Sequence, residues 1–465
     1  MSGPTAGRPH PRLGSRARRA LAGHAEPTLA IGVRTPRSQV DDLAAHSALE
    51  LALRIGEAML ALGVPAADVT ATVLRVAAAY GLEGCQVDVT FTSLTVSWDR
   101  DDGIPLTGMR IVRARTQDYS RLQGVTEVAQ HVGGGGVPLD EAHRLLDDVV
   151  RAPHPYRRGV ATVALAAMAA AVGVLLGGSW LVALVAAGTT AAVDQLMRVL
   201  GRWGLPTFFQ QVVGAALATT IAVVAVAVDA PLRSSLVVAA GIVVLLAGLG
   251  LVGAVEDAIS GFHVTAAARG AEVVTLTAGI VVGIAGVLDV ARRLDVGLSV
   301  LGPAASQAAL WLQVVAAAAI SAGFAVAAYA RPRAVVVAAA AGGLAMTTYG
   351  AGVGLGQSAP VACALAAAVV GFCGEALADR LRVPPLLVAV CGIIALLPGL
   401  AIYRGLFLVV VDGNIQGGLG SLTGALAIGL GLAAGVTLGE FLATPVRRSV
   451  DRFERSVRRR AAPPE

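Results

Sequence analysis

Residues 334–374 run for 41 positions without one Asp, Glu, Lys or Arg. No water-facing surface can be built from such a stretch, and since about 20 apolar residues cross the hydrocarbon core as one helix, it is long enough for two crossings. Other uncharged runs extend the pattern. Residues 160–193 hold two spans if Gly177-Gly178-Ser179 turns between them, residues 205–228 a third and residues 234–255 a fourth. The fifth run is short: 273–288 supplies only 16 residues between Glu272 and Asp289, so its helix has to start earlier and carry Glu272, with Arg269, into the membrane edge. A sixth span comes from 303–330, the seventh and eighth from 334–374 around "TTYGAGVGLGQSAP", and the ninth and tenth from 383–403 and 413–439. The expectation is a mainly α-helical polytopic membrane protein with ten transmembrane helices.

Composition agrees, with 55% hydrophobic residues against 14% charged and a mean hydropathy of +0.72. The excess of five positive charges is carried by Arg alone, for the chain has no Lys. Arg at membrane edges explains this better than nucleic-acid binding, because no basic stripe interleaved with aromatics is present. Ten spans with the N-terminus inside put Arg151, Arg157, Arg158, Arg198, Arg202, Arg269, Arg331, Arg333, Arg380, Arg382 and the Arg-rich C-terminal tail on one side, leaving Arg233, Arg292, Arg293 and Arg404 on the other. The richer side reads as cytoplasm, so both termini are expected there. Cys85, Cys363, Cys373 and Cys391 form no CxxC and no Cys/His cluster, which points to buried hydrophobes and to neither a metal nor a cofactor.

The charge that the membrane region lacks is concentrated at the start. Residues 1–40 read as a disordered Arg-rich tail, 41–155 as a small cytoplasmic α+β domain and 446–465 as a basic cytoplasmic tail. Within the domain, apolar residues from Leu49 to Leu60 recur at helical steps, and "LGVPAADV" turns the chain into a second helix over 69–80. Residues 87–98 alternate apolar and polar as one half-buried strand, with "MRIVRAR" as hairpin partner after Asp101-Asp102-Gly103. Helices over 119–131 and 139–150 flank a "GGGG" break. Ser93, Ser97, His131 and His143 are the residue types of a hydrolase, but no nucleophile elbow, HExxH or P-loop accompanies them, and the chain is expected not to be an enzyme.

A repeated word organises the membrane region. "LLAGL" at 245–249 returns as "LLPGL" at 396–400, a displacement of 396 − 245 = 151 residues. The words fall in the fourth and ninth spans, so residues 159–300 and 301–445 are each expected to form a five-helix repeat, and an odd number of crossings inverts the second against the first. Secondary transporters place substrate where such repeats meet, at helices interrupted by Gly or Pro. Pro398 and Gly399 have that character; the alternative is that they kink or pack a helix as Gly and Pro often do in membranes. Ionisable residues form a second cluster: Glu256, Asp257, His263, Arg269 and Glu272 in the first half, with Glu375, Asp379, Arg404 and Glu440 in the second. Groups at such depth face a partner or a water-filled path, unless they lie in a solvated loop. Glu272 suits a proton carrier best and Asp257 next; Arg269, at i, i+3 from Glu272, can instead pair with it as an anchor.

In order along the chain, "ALRIGEAMLALGVPAADV", "VDVTFTSLTVSW", "EDAISGFHVTAAARGAE" and "RVPPLLVAVCGIIALLPGLAIYRGL" resemble the threonine/serine exporter family over about residues 42–442. The resemblance implies a ten-helix carrier of the inner membrane with a cytoplasmic N-terminal domain, exporting threonine and serine on the proton motive force. Asp257, Arg269, Glu272, Pro398, Gly399, Tyr403, Arg404 and Gly405 lie in the matching motifs and become the candidate pathway for substrate and protons. Ala247 departs from the pattern, standing where a proline is expected in relatives whose halves match more closely, which implies unequal breaks. Implied partners are the small substrate, protons and the lipid bilayer, with self-association into a homo-oligomer left open and no nucleic acid. Split relatives are associated with dicarboxylates, so a carrier of another small polar acid is the alternative, and a membrane-anchored hydrolase the third.

Overall fold

The computed structural model describes residues 42–461, apart from 101–103, 114, 228–233, 243–244, 247, 295–307 and 411. The first forty residues, the Asp101-Asp102-Gly103 turn, Ala247 and the junction between the two membrane halves therefore lie outside the described residues.

The N-terminal layer comprises α1 (Asp42–Ala61), α2 (Ala66–Ala79), β1 (Gln86–Val89), β2 (Ser93–Trp98), β3 (Leu106–Ile111), α3 (Tyr119–Gly133) and α4 (Leu139–Arg151). The strands form one antiparallel sheet in the order β1-β2-β3, with Val89 opposite Leu94 and Ser93 opposite Ile111. Leu94, Val96 and Trp98 are buried, and α1 packs over β2 and β3. The single strand expected over 87–98 is thus two. The Thr90 and Ser93 hydroxyls lie 2.7 Å apart, and the Ser93 N–H donates to Thr90 Oγ1 at 3.2 Å. A threonine side chain that takes over a backbone group in this way turns the chain, which alternation of apolar residues cannot reveal.

The apolar region follows as α5 (Arg158–Leu175), α6 (Trp180–Arg202), α7 (Thr207–Ala227), α8 (Ser234–Gly241), α9 (Gly248–Ile259) and α10 (His263–Arg293). It continues as α11 (Leu310–Ala327), α12 (Pro332–Gly354), α13 (Ala359–Leu381), α14 (Pro385–Ile393), α15 (Gly399–Val410) and α16 (Ile415–Ala461). Among the described residues eight helices are long and apolar enough to cross a membrane, or nine if the pair α14 and α15, bent by 45°, counts as one. The C-terminal tail is, as far as Ala461, an extension of α16.

The element bounds recur. Adding 152 to α5 (158–175) gives the bounds of α11 (310–327), and adding it to α6 (180–202) gives α12 (332–354); adding 151 to α9 (248–259) gives α15 (399–410). The packing recurs with them. A methyl added at Gly283 of α10 would collide with the Val212 carbonyl of α7, and one at Gly435 of α16 with the Ala364 carbonyl of α13, where 283 + 152 = 435 and 212 + 152 = 364. With lipid as apolar as the side chains, close backbone approach over small residues is what holds such pairs together.

At Pro398 the break has a local cause. Proline disfavours a helical conformation in the residue before it, and Leu397 is extended at φ −61°, ψ 137°. The fourth span, expected as one run over 234–255, is also interrupted: helix stops at Gly241 and resumes at Gly248, and Ile242, Leu245 and Leu246 between them are not α-helical. The two breaks cross. A methyl on Gly248 would sit 3.0 Å from Leu397 Cβ, and one on Gly399 would sit 2.9 Å from Leu246 Cβ. Because 248 + 151 = 399 and 246 + 151 = 397, the contact is reciprocal, and each break is packed by the other.

Gly435→Ala should therefore destabilise the protein by about 1–3 kcal/mol, because its methyl has no free space. Gly286→Ala, where nothing lies within 4 Å, should be neutral or stabilising by up to about 1 kcal/mol. Thermal unfolding in detergent compares them, and equal effects would remove the close-packing account.

Candidate functional site

The last turn of α9 carries Glu256 and Asp257; Gly261, at φ +89°, then reverses the chain, and α10 brings Arg269 back beside them. Arg269 Nε lies 3.2 Å from Asp257 Oδ2, and both side chains are buried, Asp257 with 0% of its surface exposed. Gly253, one turn before Asp257, makes room: a methyl there would be 2.6 Å from an Arg269 guanidinium nitrogen.

The N-terminal layer closes over this pair. The Ala66 N–H donates to Asp257 Oδ1 at 3.0 Å, Arg269 donates to the Val64 carbonyl at 3.4 Å, and the Thr265 hydroxyl donates to the Val89 carbonyl at 3.1 Å. Further contacts fasten the layer to two more turns of the bundle. The Tyr119 N–H donates to the Ala328 carbonyl at 2.8 Å, Arg331 meets Glu127 at 3.4 Å, and Gln123 donates to the Arg382 carbonyl at 3.3 Å. Beside the pair lies a cavity of about 100 Å³, walled by Gly253, Glu256 and Arg269, by Ile393 of α14, and by Gln117 and Tyr119 of the layer.

The structure unites Asp257 and Arg269 but not the other candidates. Glu272 is 48% exposed and 3.9 Å from Arg115, whose guanidinium lies 3.5 Å from the centre of the Phe91 ring. Glu272 was expected at the membrane edge, with pairing to Arg269 as the alternative to a proton-carrying role; α10 turns Arg269 inward to Asp257 and leaves Glu272 at the rim, beside Arg115. Pro398 and Gly399 form the crossing of the breaks. Tyr403 is buried against Phe407, Gly405 packs against Leu422 of α16, and Arg404 is half-buried between them in sequence; none of these lines the cavity.

Sequence reasoning missed Val64, Ala66, Gln117 and Gly253. The first two act through backbone groups, and Ala66 meets Asp257 across 191 positions, so no local pattern marks them. It also missed Asp68 in the first turn of α2, which faces the crevice between layer and bundle. Although water reaches it, the surrounding protein raises its carboxyl above the ordinary value of 3.8, chiefly by desolvation and then through Glu375, with Arg75 opposing. A carboxyl raised by folding contributes stability at pH below its ordinary value, and that contribution is lost as pH rises through the raised one. Hydrogen exchange along α2 should therefore slow as pH falls after correction for intrinsic rates, and Asp68→Asn should flatten the dependence.

The hydrolase reading meets a physical obstacle. His143 Nε2 is 3.2 Å from the Ser47 hydroxyl, but its Nδ1 is 3.2 Å from Arg54, a donor only. Nδ1 must then accept, which leaves the proton on Nε2 and makes that nitrogen unable to take one from Ser47.

Residues 50–291 match the profile of a family described as "Putative threonine/serine exporter", and residues 313–442 match "Threonine/Serine exporter, ThrE". A probable threonine/serine exporter of Mycobacterium tuberculosis is 40% identical over 446 residues, covering 93% of this chain and 84% of that protein. A threonine/serine exporter of Corynebacterium glutamicum is 37% identical over 420 residues, covering 88% and 85%. The chain belongs to the threonine/serine exporter family. No solved structure matches it.

In this member of the exporter family, a multi-pass membrane protein, the pair is also a structural element. Asp257→Ala would strand a buried guanidinium at a cost of about 3–5 kcal/mol, whereas Asp257→Asn keeps an acceptor for the Ala66 N–H and should unfold closer to wild type. Thermal unfolding of the two variants measures the difference, and equal losses would show that the hydrogen bond to the layer contributes nothing.

Proposed function

We propose that the chain exports threonine and serine from the cytoplasm as a secondary carrier driven by the proton motive force, with Asp257 and Arg269 as the two poles of its substrate site. The observation that carries this reading is the buried Asp257–Arg269 pair, whose arginine, though not its aspartate, lines a cavity that reaches α9, α10, α14 and α16. A zwitterionic amino acid needs an acceptor for its ammonium and a donor for its carboxylate, and a carboxylate and a guanidinium in a site shielded from water are the strongest such partners. A cavity of about 100 Å³ suits a small side chain. Asp257 as one of the two poles disfavours a dicarboxylate, and Glu256 in the cavity wall takes over the proton-carrying role first expected of Glu272.

Ten spans arranged as two inverted five-helix repeats accommodate this site. The recurring bounds and the reciprocal crossing of Gly248 with Leu397 and Gly399 with Leu246 support the duplication. The N-terminal layer touches the α9–α10, α11–α12 and α13–α14 turns, all on the Arg-rich side in that topology, which supports a cytoplasmic layer and cytoplasmic termini in the inner membrane.

Purified protein in liposomes under an imposed pH gradient tests the reading. Labelled threonine and serine should move and succinate should not. Asp257→Asn should weaken threonine binding about 10- to 100-fold, as for one lost charge-assisted hydrogen bond of about 1.5–3 kcal/mol. Glu256→Gln should lose gradient-driven efflux and keep exchange at equal pH, while Glu272→Gln should keep both. Preference for succinate, or wild-type binding by Asp257→Asn, would overturn the assignment. Reporter fusions after Arg158 and at the C-terminus should both report cytoplasm.

A further inference from the structure

The segment joining α1 to α2 meets the ion pair in a particular way. Ala66 offers an N–H, the positive end of a peptide dipole, to Asp257 at 3.0 Å, and Val64 offers a carbonyl oxygen, the negative end, to Arg269 at 3.4 Å. Those are the polarities that an amino acid's ammonium and carboxylate would present to the same two side chains. Val64, Pro65 and Ala66 are all buried, and Leu62, Gly63 and Pro65 form the cavity wall on that side.

We infer that the α1–α2 loop of the N-terminal layer is a built-in competitor for the substrate site: it occupies Asp257 and Arg269 with backbone groups when no amino acid is bound, and a zwitterion must displace it. This rests on the reading of Asp257 and Arg269 as the zwitterion site. The exchange is chemically favourable, because hydrogen bonds between two charged groups are roughly twice as strong as those made by a neutral amide. It also gives the loop a task at the cavity. A molecule held beside Arg269 faces Leu62, Gly63 and Pro65 on the layer side, so withdrawal of the loop widens the way between the site and that side. Gly63, at φ +86° with open space around its Cα, is placed to take up the movement. Compounds carrying only one pole should displace the loop poorly, since the other backbone contact would remain in place.

The test uses the full chain with Cys85, Cys363, Cys373 and Cys391 replaced by Ala and a reporter thiol introduced by Val64→Cys. Its reaction with a membrane-impermeant maleimide should be slow without ligand and at least about threefold faster with saturating threonine, as expected when a ligand selects the withdrawn state. Propylamine and propionate should have little effect, and Asp257→Asn should abolish the response. Ala66→Pro removes the donor at a position where proline is compatible with a helix's first turn. It should raise labelling without threonine and lower the half-saturating threonine concentration by about threefold, because the competitor is weakened. If labelled threonine is bound in the same sample and the labelling rate does not change, the inference is overturned while the substrate site stands. A response of equal size in Asp257→Asn overturns it as well, since the loop would then be moving for another reason. Wild-type threonine binding by Asp257→Asn instead sinks the substrate site itself. Should Ala66→Pro not fold, Leu62→Cys in the same loop repeats the labelling at a second position, and an unchanged rate there with threonine bound likewise overturns the competitor role.

Discussion

Everything near the site depends on keeping one carboxylate and one guanidinium out of water. Two charges removed from solvent lose hydration worth several kcal/mol each, and their mutual attraction restores this only when the geometry is good and the remaining hydrogen-bonding positions are filled. Asp257 accepts the Ala66 N–H on Oδ1, while its Oδ2 lies 3.2 Å from Arg269 Nε as an ion pair that makes no hydrogen bond. Arg269 has Asp257 and the Val64 carbonyl. Two of these partners belong to the N-terminal layer, so the layer is part of the solvent that the pair experiences. The absence of a side chain at Gly253 lets the guanidinium reach its partner, and the tight reversal at Gly261 brings α10 back alongside α9.

The pair also stands outside the recurring helix bounds. Position 257 + 151, at the offset of α9, is Leu408, and position 269 + 152, at the offset of α10, is Ser421, so neither charge of the ion pair recurs there. Close packing over glycine recurs at 283 and 435, while the buried Asp257–Arg269 pair does not recur. Small residues are needed wherever backbones approach closely, because steric exclusion does not depend on which end of the bundle is concerned. A polar site has no such constraint. It is needed only where something polar, here the edge of the N-terminal layer, can complete it.

The reciprocal crossing of the two breaks connects scaffold to site. Interrupted helices leave backbone groups outside regular hydrogen bonding, which is tolerated at membrane depth only where protein or a water-filled cavity receives them. Here each break is received by the other, and the cavity opens beside the crossing, between α9, α10, α14 and the layer.

By itself the sequence determined that the chain is a helical membrane protein with a small α+β layer in front. The reason is that uncharged runs, helical periodicity and a repeated five-residue word are local, one-dimensional properties, legible without knowing what touches what. It also marked Asp257 and Arg269 as costly charges. Their partnership was not legible, since both Glu272 and Asp257 were available to Arg269, and the choice between them turned on how α9 folds back against α10. The break after Gly241 was not legible either, because it has no proline of its own and is packed by Leu397 and Gly399 some 150 residues away. Only the tertiary structure decided that a backbone N–H at Ala66 and a carbonyl at Val64 complete the site. Every residue but proline carries both groups, and what distinguishes these two is their position in space, which no residue type encodes.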